Sequence, residues 1–211
     1  MKSLAKNSLY NVIYRCLNVV FPLITMAYIA RVLYAEGVGR VSSATNIAAY
    51  FTVLAALGLP TYGTKAIASC VDKVSVSKTF WDLFTINLLS TLIFSAVYYT
   101  MIFTIPFFQN ELNLFVIVGL AIIFNVINVD WFYQGREEYG YITLRSLIIK
   151  SLSVITIFAF VKDSDDVVVY ALILTLSNVA NYLFNIIHIR KFITLKIDIV
   201  YLFLKTKWKT L

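Results

Sequence analysis

Six long apolar stretches, each bounded by charged or turn-forming residues, dominate the pattern of the chain. Because about 20 apolar residues cross the hydrocarbon core of a bilayer as an α-helix, this pattern predicts an all-α polytopic bundle of six transmembrane helices. The connections are short, except that residues 61–79 are long enough for a surface helix. The predicted spans cover approximately residues 8–31, 41–60, 80–105, 112–133, 141–161 and 167–189.

The composition excludes a water-soluble fold. Of the 211 residues, 60% are hydrophobic and 14% are charged, and the mean hydropathy is +0.82, whereas a soluble domain needs a larger polar fraction to cover its surface. The residues outside six spans are too few for a separate catalytic domain. The sequence also lacks a G-x-S-x-G motif, a phosphate-binding glycine loop and a cluster of metal ligands. We therefore expect no enzyme activity and no cofactor.

Lysine and arginine are distributed unevenly between the two sides of the predicted bundle. They give a net charge of +7 but are scattered between apolar runs, so we read them as topology signals and expect no nucleic-acid partner. Twelve of the 18 lie on the side of the termini, three on the other side and three within spans. The positive-inside rule therefore predicts that both termini are cytoplasmic. Residues 1–190 then form the transmembrane lobe, and residues 191–211 a basic tail at the membrane surface.

One short motif is compatible with an enzyme. Residues 163–165 match the D-x-D pattern with which glycosyltransferases hold a metal and a nucleotide sugar. Such short matches are common, and this one falls in an outward turn where Asp165 or Asp166 is placed to cap the sixth helix. We therefore interpret it as a turn.

Polar side chains recur at helical spacing within four of the six spans. Since lipid cannot satisfy polar groups, these positions mark faces that look into the bundle or a cavity. Any single asparagine could instead serve only as an interhelical hydrogen bond. The first span carries Asn11, Arg15, Asn18, Pro22 and Thr25, the second Ser42, Thr45 and Asn46, the fourth Asn125 and Asn128, and the sixth Asn178, Asn181, Asn185 and His188.

Three cations, Arg15, Arg145 and Lys150, lie within the spans. A charge at such a depth costs at least about 2.5 kcal/mol unless it snorkels or lines water, so Arg15 and Lys150 are predicted to face a shared hydrated cavity. Snorkelling is the alternative for Arg15, which is close to the predicted cytoplasmic end. Asp130 is a candidate counter-ion for one of these cations, or else an interfacial carboxylate beside Trp131.

Four stretches carry a family resemblance when they are taken in order and at their spacing. They lie between residues 21 and 39, at residues 56–68, at Asp130-Trp131-Phe132-Tyr133-Gln134-Gly135 with Glu137, and at residues 141–150. Through them the chain resembles the amino-terminal half of a polysaccharide flippase of the Wzx type, in the multidrug/oligosaccharidyl-lipid/polysaccharide exporter superfamily. The resemblance extends to about Lys191. Family members often have an acidic residue where this sequence has Ala66.

The resemblance implies transport without covalent chemistry. Its substrate would be an undecaprenyl-pyrophosphate-linked oligosaccharide, moved from the inner to the outer leaflet of the bacterial plasma membrane during polysaccharide biosynthesis. The family is expected to have two facing six-helix lobes, so this chain is expected to be one lobe, a truncated half-transporter. Its expected partners are the lipid-linked oligosaccharide, membrane lipids and either a second lobe or another copy of the chain.

The predicted substrate contacts combine two chemistries. Cations suit a pyrophosphate, and asparagine side chains suit sugars. A drug or cation exporter of the same superfamily is one alternative, although it should present buried carboxylates, whereas the deep charges here are mostly basic. A structural membrane subunit without transport activity is the other. The predicted contacts are Arg15, Arg145 and Lys150 as cations, with Asn18, Asn46, Asn125, Asn128, Asp130, Asn178 and Asn185.

Overall fold

The computed structural model describes residues 4–193, and within this range the chain is helical with no β-strand. Short 3₁₀ turns follow α6, at Asn125–Ile127, and α9, at Ile189–Lys191. The predicted basic tail lies almost entirely outside the described residues. The helices are α1 (Leu4–Val32), α2 (Tyr34–Ala56), α3 (Leu59–Ala68), α4 (Lys73–Thr104), α5 (Pro106–Gln109), α6 (Leu112–Phe124), α7 (Asp130–Gly135), α8 (Tyr139–Phe160) and α9 (Val167–His188).

The prediction of six transmembrane helices is confirmed, since six segments of the described chain are long and apolar enough to cross a membrane. Two of them begin about seven residues earlier than predicted, at Tyr34 and at Lys73. The third span starts at Lys73 because the Asp72 carboxylate accepts hydrogen bonds from the backbone N–H groups of Val74 (3.0 Å) and Ser75 (2.9 Å). These bonds satisfy the free donors of the first helical turn, and they hold the pKa of Asp72 below its usual value.

The segment predicted as a surface helix is divided differently. Its first part belongs to α3, which is separated from α2 by only two residues, Leu57 and Gly58. Gly58 makes this break possible because its φ is +74°, a left-handed conformation that glycine adopts without strain. The second part, from Lys73 onward, is the first turns of α4. The segment is therefore long enough for a short helix, as expected, but that helix begins at Leu59 and ends at Ala68, and the rest of the segment belongs largely to α4.

The fourth span is interrupted rather than continuous. Helix α6 ends at Phe124, and regular helix resumes only at Asp130. Asn87 on α4 compensates for the lost helical bonds, because its side-chain Nδ2 donates to the backbone oxygens of Asn125 (3.2 Å) and Val126 (3.2 Å). Backbone groups freed at membrane depth must find partners inside the protein. The sequence pattern missed this break because the break lies within a long, mainly apolar run, in which Asn125 and Asn128 also fit one face of a continuous helix.

The helices form a bundle in which α9 occupies a central place. Helix α1 packs on α8, α8 on α9, and α9 on α6, while α6 and α4 both pack on α2. Helix α3 packs on α7 at one end of the bundle. A buried aromatic cluster there includes Phe80, Trp131, Phe132 and Tyr133. At the other end a second cluster surrounds Tyr98, whose hydroxyl donates to the Phe115 carbonyl at 2.8 Å.

The carboxylates of the outward turn do not cap α9 as predicted. The Asp166 side chain makes no hydrogen bond to the first turn of that helix. It accepts instead from the backbone N–H groups of Asp163 (2.9 Å) and Lys162 (2.8 Å), which hold its pKa below the usual value. The D-x-D triplet therefore lies in a turn whose backbone N–H groups are bonded to a carboxylate of the same turn, as expected for a structural element.

A glycine at the end of α7 sets how closely α7 approaches α3. A Cβ atom on Gly135 would lie 2.7 Å from the Thr64 backbone oxygen and 2.9 Å from the Ile67 Cβ. We expect Gly135→Ala to lower the free energy of unfolding by about 1–3 kcal/mol, the usual cost of overpacking. The matched control is Gly39→Ala in α2, where nothing lies within 4 Å; there we expect stabilisation of up to about 1 kcal/mol. Thermal unfolding in detergent measures both, and equal effects would contradict the close-packing argument.

Candidate functional site

An ion pair links α7 to α8 in the interior of the bundle. The Arg145 Nη2 donates to Asp130 Oδ1 at 3.0 Å, so the counter-ion predicted for this carboxylate is confirmed, with Arg145 as its partner. Asn185 on α9 joins the pair, because its Nδ2 donates to the same carboxylate oxygen at 2.6 Å and its Oδ1 accepts from Arg145 Nη1. Arg145 is 6% exposed and Asn185 is fully buried.

Two tyrosines also belong to this network, and one of them adds a fourth helix, α1. The Tyr14 hydroxyl on α1 donates to Asp130 Oδ2 at 3.2 Å, and the Tyr133 hydroxyl donates to the Asn185 backbone oxygen at 2.7 Å. Arg145 Nε also donates to Asn181 Oδ1 at 3.2 Å. Sequence reasoning missed both tyrosines, although Tyr14 lies one helical turn before Asn18 on the polar face of the first span. The network thus joins α1, α7, α8 and α9.

Burial in this network changes the interpretation of two predicted substrate contacts. Arg145 and Asn185 were expected to face a substrate, but their polar groups are bonded to other side chains of the same bundle. A substrate does not reach them while the network is closed. In this structure they hold helices together, and a direct role in substrate binding stays a prediction that requires the network to open.

A cleft, here called the greater cleft, lies between α1, α8 and α9 and has a volume of about 650 Å³. Its walls are mostly apolar, with polar groups from Asn18, Thr25, Lys150 and Asn178 among its lining residues. The Lys150 Nζ donates to Asn18 Oδ1 at 2.6 Å. This bond places a cation and an amide side by side in a groove between three transmembrane helices.

A second groove, here called the lesser cleft, lies between α2, α6 and α9 and has a volume of about 480 Å³. Asn46 and Tyr182 are among its lining residues. Leu174 and Asn178 line both clefts, so one face of α9 separates them. Asn18, Asn46, Lys150 and Asn178, four of the predicted substrate contacts, therefore line clefts, and their contact with a substrate stays a prediction.

The remaining predicted contacts lie elsewhere. Asn125, Asn128 and Asp130 line a small pocket of about 90 Å³ beside the interruption of the fourth span, together with Asn87. Arg15 is not among the residues that line the greater cleft, and its Nε donates to Asn11 Oδ1 at 3.1 Å on an exposed surface. Of the two cations predicted to share a cavity, only Lys150 therefore lines the greater cleft.

Thiol labelling can test whether the clefts are hydrated. Lys150→Cys and Asn178→Cys are expected to react at least about tenfold faster than Asn185→Cys with a membrane-impermeant reagent, because only the first two line an open groove. The reagent is added from the side predicted to be cytoplasmic, in a background where the native Cys16 and Cys70 are replaced by serine. Protection of both cleft positions, under conditions in which a Ser69→Cys control in the same background reacts at its exposed position, would contradict the hydrated groove.

These features describe a multi-pass membrane protein whose polar side chains line grooves between helices. The chain belongs to a family described as polysaccharide biosynthesis protein, whose model matches residues 4–209. It is 24% identical over 177 residues to a protein of Escherichia coli (strain K12) named "Putative O-antigen transporter", covering 83% of this chain and 43% of that protein. A protein of the same name from Shigella dysenteriae is 24% identical over 154 residues, covering 72% and 38%. The chain thus spans about two fifths of the length of these relatives. No solved structure matches it.

Proposed function

We propose that this bundle forms one wall of a path along which lipid-linked oligosaccharide crosses the bacterial plasma membrane, from the inner to the outer leaflet. The observation that carries the proposal is the pair of clefts on either side of Asn178, with Lys150 in the greater one. The family membership and the names of the two relatives support a role in polysaccharide export. The substrate would be an undecaprenyl-pyrophosphate-linked repeat unit.

The chemistry of the clefts fits the parts of such a substrate. An ammonium group attracts pyrophosphate oxygens, and Lys150 supplies one in the greater cleft. Asn18, Asn46 and Asn178 supply amides that both donate and accept, as sugar hydroxyls require. The mostly apolar remainder of the walls suits the polyprenyl chain. Transport of this kind breaks no covalent bond, so no catalytic residue is needed.

The alternatives fit the clefts less well. An exporter of cationic drugs needs a carboxylate that faces its substrate, but the Asp130 carboxylate is engaged by Arg145 and Asn185. Among the residues that line the two clefts, the ionised side chain is Lys150. A purely structural subunit has no need of polar grooves open between its helices. The clefts therefore favour an anionic substrate with polar substituents.

Photocrosslinking in cells that assemble lipid-linked repeat units tests the proposal. A benzoylphenylalanine in place of Asn178 should capture labelled lipid-linked sugar, whereas the same group in place of Leu92, exposed on α4 outside both clefts, should capture bulk phospholipid only. Adding Lys150→Gln should weaken the sugar adduct at least about fivefold, and Lys150→Arg should retain it, because only the cation attracts pyrophosphate. Sugar adducts of equal yield at positions 92 and 178 would refute the path.

A further inference from the structure

Three cations meet at the end of the bundle where α3 lies. Lys73 begins α4, Arg136 directly follows α7, and Lys191 ends the 3₁₀ turn after α9. Together with Asp72 and Phe192 they line a pocket of about 210 Å³, here called the basic pocket. It shares no lining residue with the greater or the lesser cleft. A ligand of the basic pocket would therefore be distinct from a substrate in either cleft.

The basic pocket carries an excess of positive charge. Within the described part of the chain, the side chains of Lys73, Arg136 and Lys191 form no ion pair. The one carboxylate in the lining, that of Asp72, is directed to the backbone N–H groups of Val74 and Ser75. Three cations against one carboxylate leave a surplus of two positive charges, drawn from three separate elements of the fold.

The position of the pocket along the helices places it at the depth of the lipid headgroups. Lys73 and Lys191 are terminal residues of two candidate membrane spans, and Arg136 directly follows a third, which ends at Gly135. All three ends lie on the side predicted to be cytoplasmic. Val71, which also lines the pocket, is 96% exposed. A valine without protein neighbours beside a cationic pocket at the end of a span is typical of a surface that contacts lipid.

We propose that the basic pocket binds the phosphodiester headgroup of an acidic phospholipid of the cytoplasmic leaflet, such as phosphatidylglycerol. The arginine offers a planar pair of donors for two phosphate oxygens, and the two lysines add point charges. Basic pockets between transmembrane helices at the cytoplasmic surface bind acidic headgroups in this manner. Val71, Val76 and Phe192 form the apolar part of the wall, which suits the start of the acyl chains. A bound headgroup would tie the ends of α4, α7 and α9 together.

Native mass spectrometry of the purified 211-residue chain in a neutral detergent tests this site. Phosphatidylglycerol and phosphatidylcholine are added at equal concentrations, and the bound lipid is counted. The variant Arg136→Gln/Lys191→Gln should lose phosphatidylglycerol affinity by about 30-fold, which is about 2 kcal/mol for the two cations removed. The control Lys65→Gln/Lys78→Gln removes the same charge from exposed positions on the same side, outside the pocket. It should change affinity less than about twofold.

Three results would overturn the proposal. Equal losses in both double variants would show diffuse attraction to a basic surface. Equal binding of phosphatidylcholine by the unmodified chain would show no preference for an acidic headgroup. Inorganic pyrophosphate that displaces phosphatidylglycerol at comparable concentration would assign the pocket to a soluble anion. Because the substituted side chains are exposed, thermal unfolding should match the unmodified chain; if it does not, Lys73→Gln/Lys191→Gln replaces the first variant.

Discussion

Asp130→Asn is expected to lower the free energy of unfolding by about 3 kcal/mol, the lower end of the usual cost of removing one partner of a buried ion pair, because the Asp130 side chain is itself 23% exposed. The substitution keeps the size of the side chain but leaves the guanidinium of Arg145, 6% exposed, without a counter-ion. It also alters the bonds from Tyr14 and Asn185 to the carboxylate. The effect should appear in thermal or denaturant unfolding of the detergent-solubilised chain.

A matched pair on the other side of the bundle provides the control. Arg40 Nη2 donates to Glu111 Oε2 at 2.7 Å, and the two side chains are 40% and 30% exposed. Because water screens such a pair, Glu111→Gln should cost less than about 1 kcal/mol. Adding Arg145→Gln to Asp130→Asn should recover part of the lost stability, since the unpaired charge is then gone. Equal costs for Asp130→Asn and Glu111→Gln would show that the inner pair is not buried in solution.

The helical bundle was predictable because its signal is carried by composition and by runs of apolar residues. Membrane thickness fixes the length of a spanning helix, so six apolar runs of that length predict six spans. The polar face of the first span was equally visible, because Asn11, Arg15 and Asn18 repeat at the helical period. The role of this face could not be predicted, because the spacing of polar residues does not distinguish a face that lines a groove from a face that makes buried contacts.

The interruption of the fourth span shows where sequence reasoning ends. Nothing in residues 112–133 forbids a continuous helix, and the break is stabilised by Asn87, a residue on another helix. The same holds for Asn185, which belongs to the polar face of the sixth span but is bonded to Asp130 and Arg145. Asn178, two helical turns earlier on the same face, lines both clefts. Only packing between helices separates the two roles.

On both α1 and α9, one part of the polar face belongs to the buried network and another part lines a cleft. On α9, Asn181 and Asn185 contact Arg145, while Asn178, one turn away, lines the grooves. On α1, Tyr14 reaches Asp130, while Asn18, one turn further, contacts Lys150 in the greater cleft. The paired charges thus hold α1, α8 and α9 in register immediately beside the proposed path. Loss of the network should therefore impair the clefts as well as stability.

Expressed alone in a flippase-deficient strain with a matching sugar repeat, this six-helix bundle is expected to restore no surface polysaccharide. Both clefts are open grooves between helices of a single bundle, and alternating access needs a second bundle to move against the first. Polar groups of these grooves left facing lipid would also cost about 0.6–2 kcal/mol for each interhelical hydrogen bond not made.

The positive control is the same chain extended by a carboxyl-terminal lobe of the family. This extended chain is expected to restore surface polysaccharide. Both forms carry the same tag, so that equal amounts in the membrane can be verified, and the extended form with Lys150→Gln serves as the loss-of-transport control. Since Lys150 is the cation of the greater cleft, that variant should fall below the extended parent by at least about tenfold. Polysaccharide restored by the short chain alone would show that one bundle, or two copies of it, completes the path.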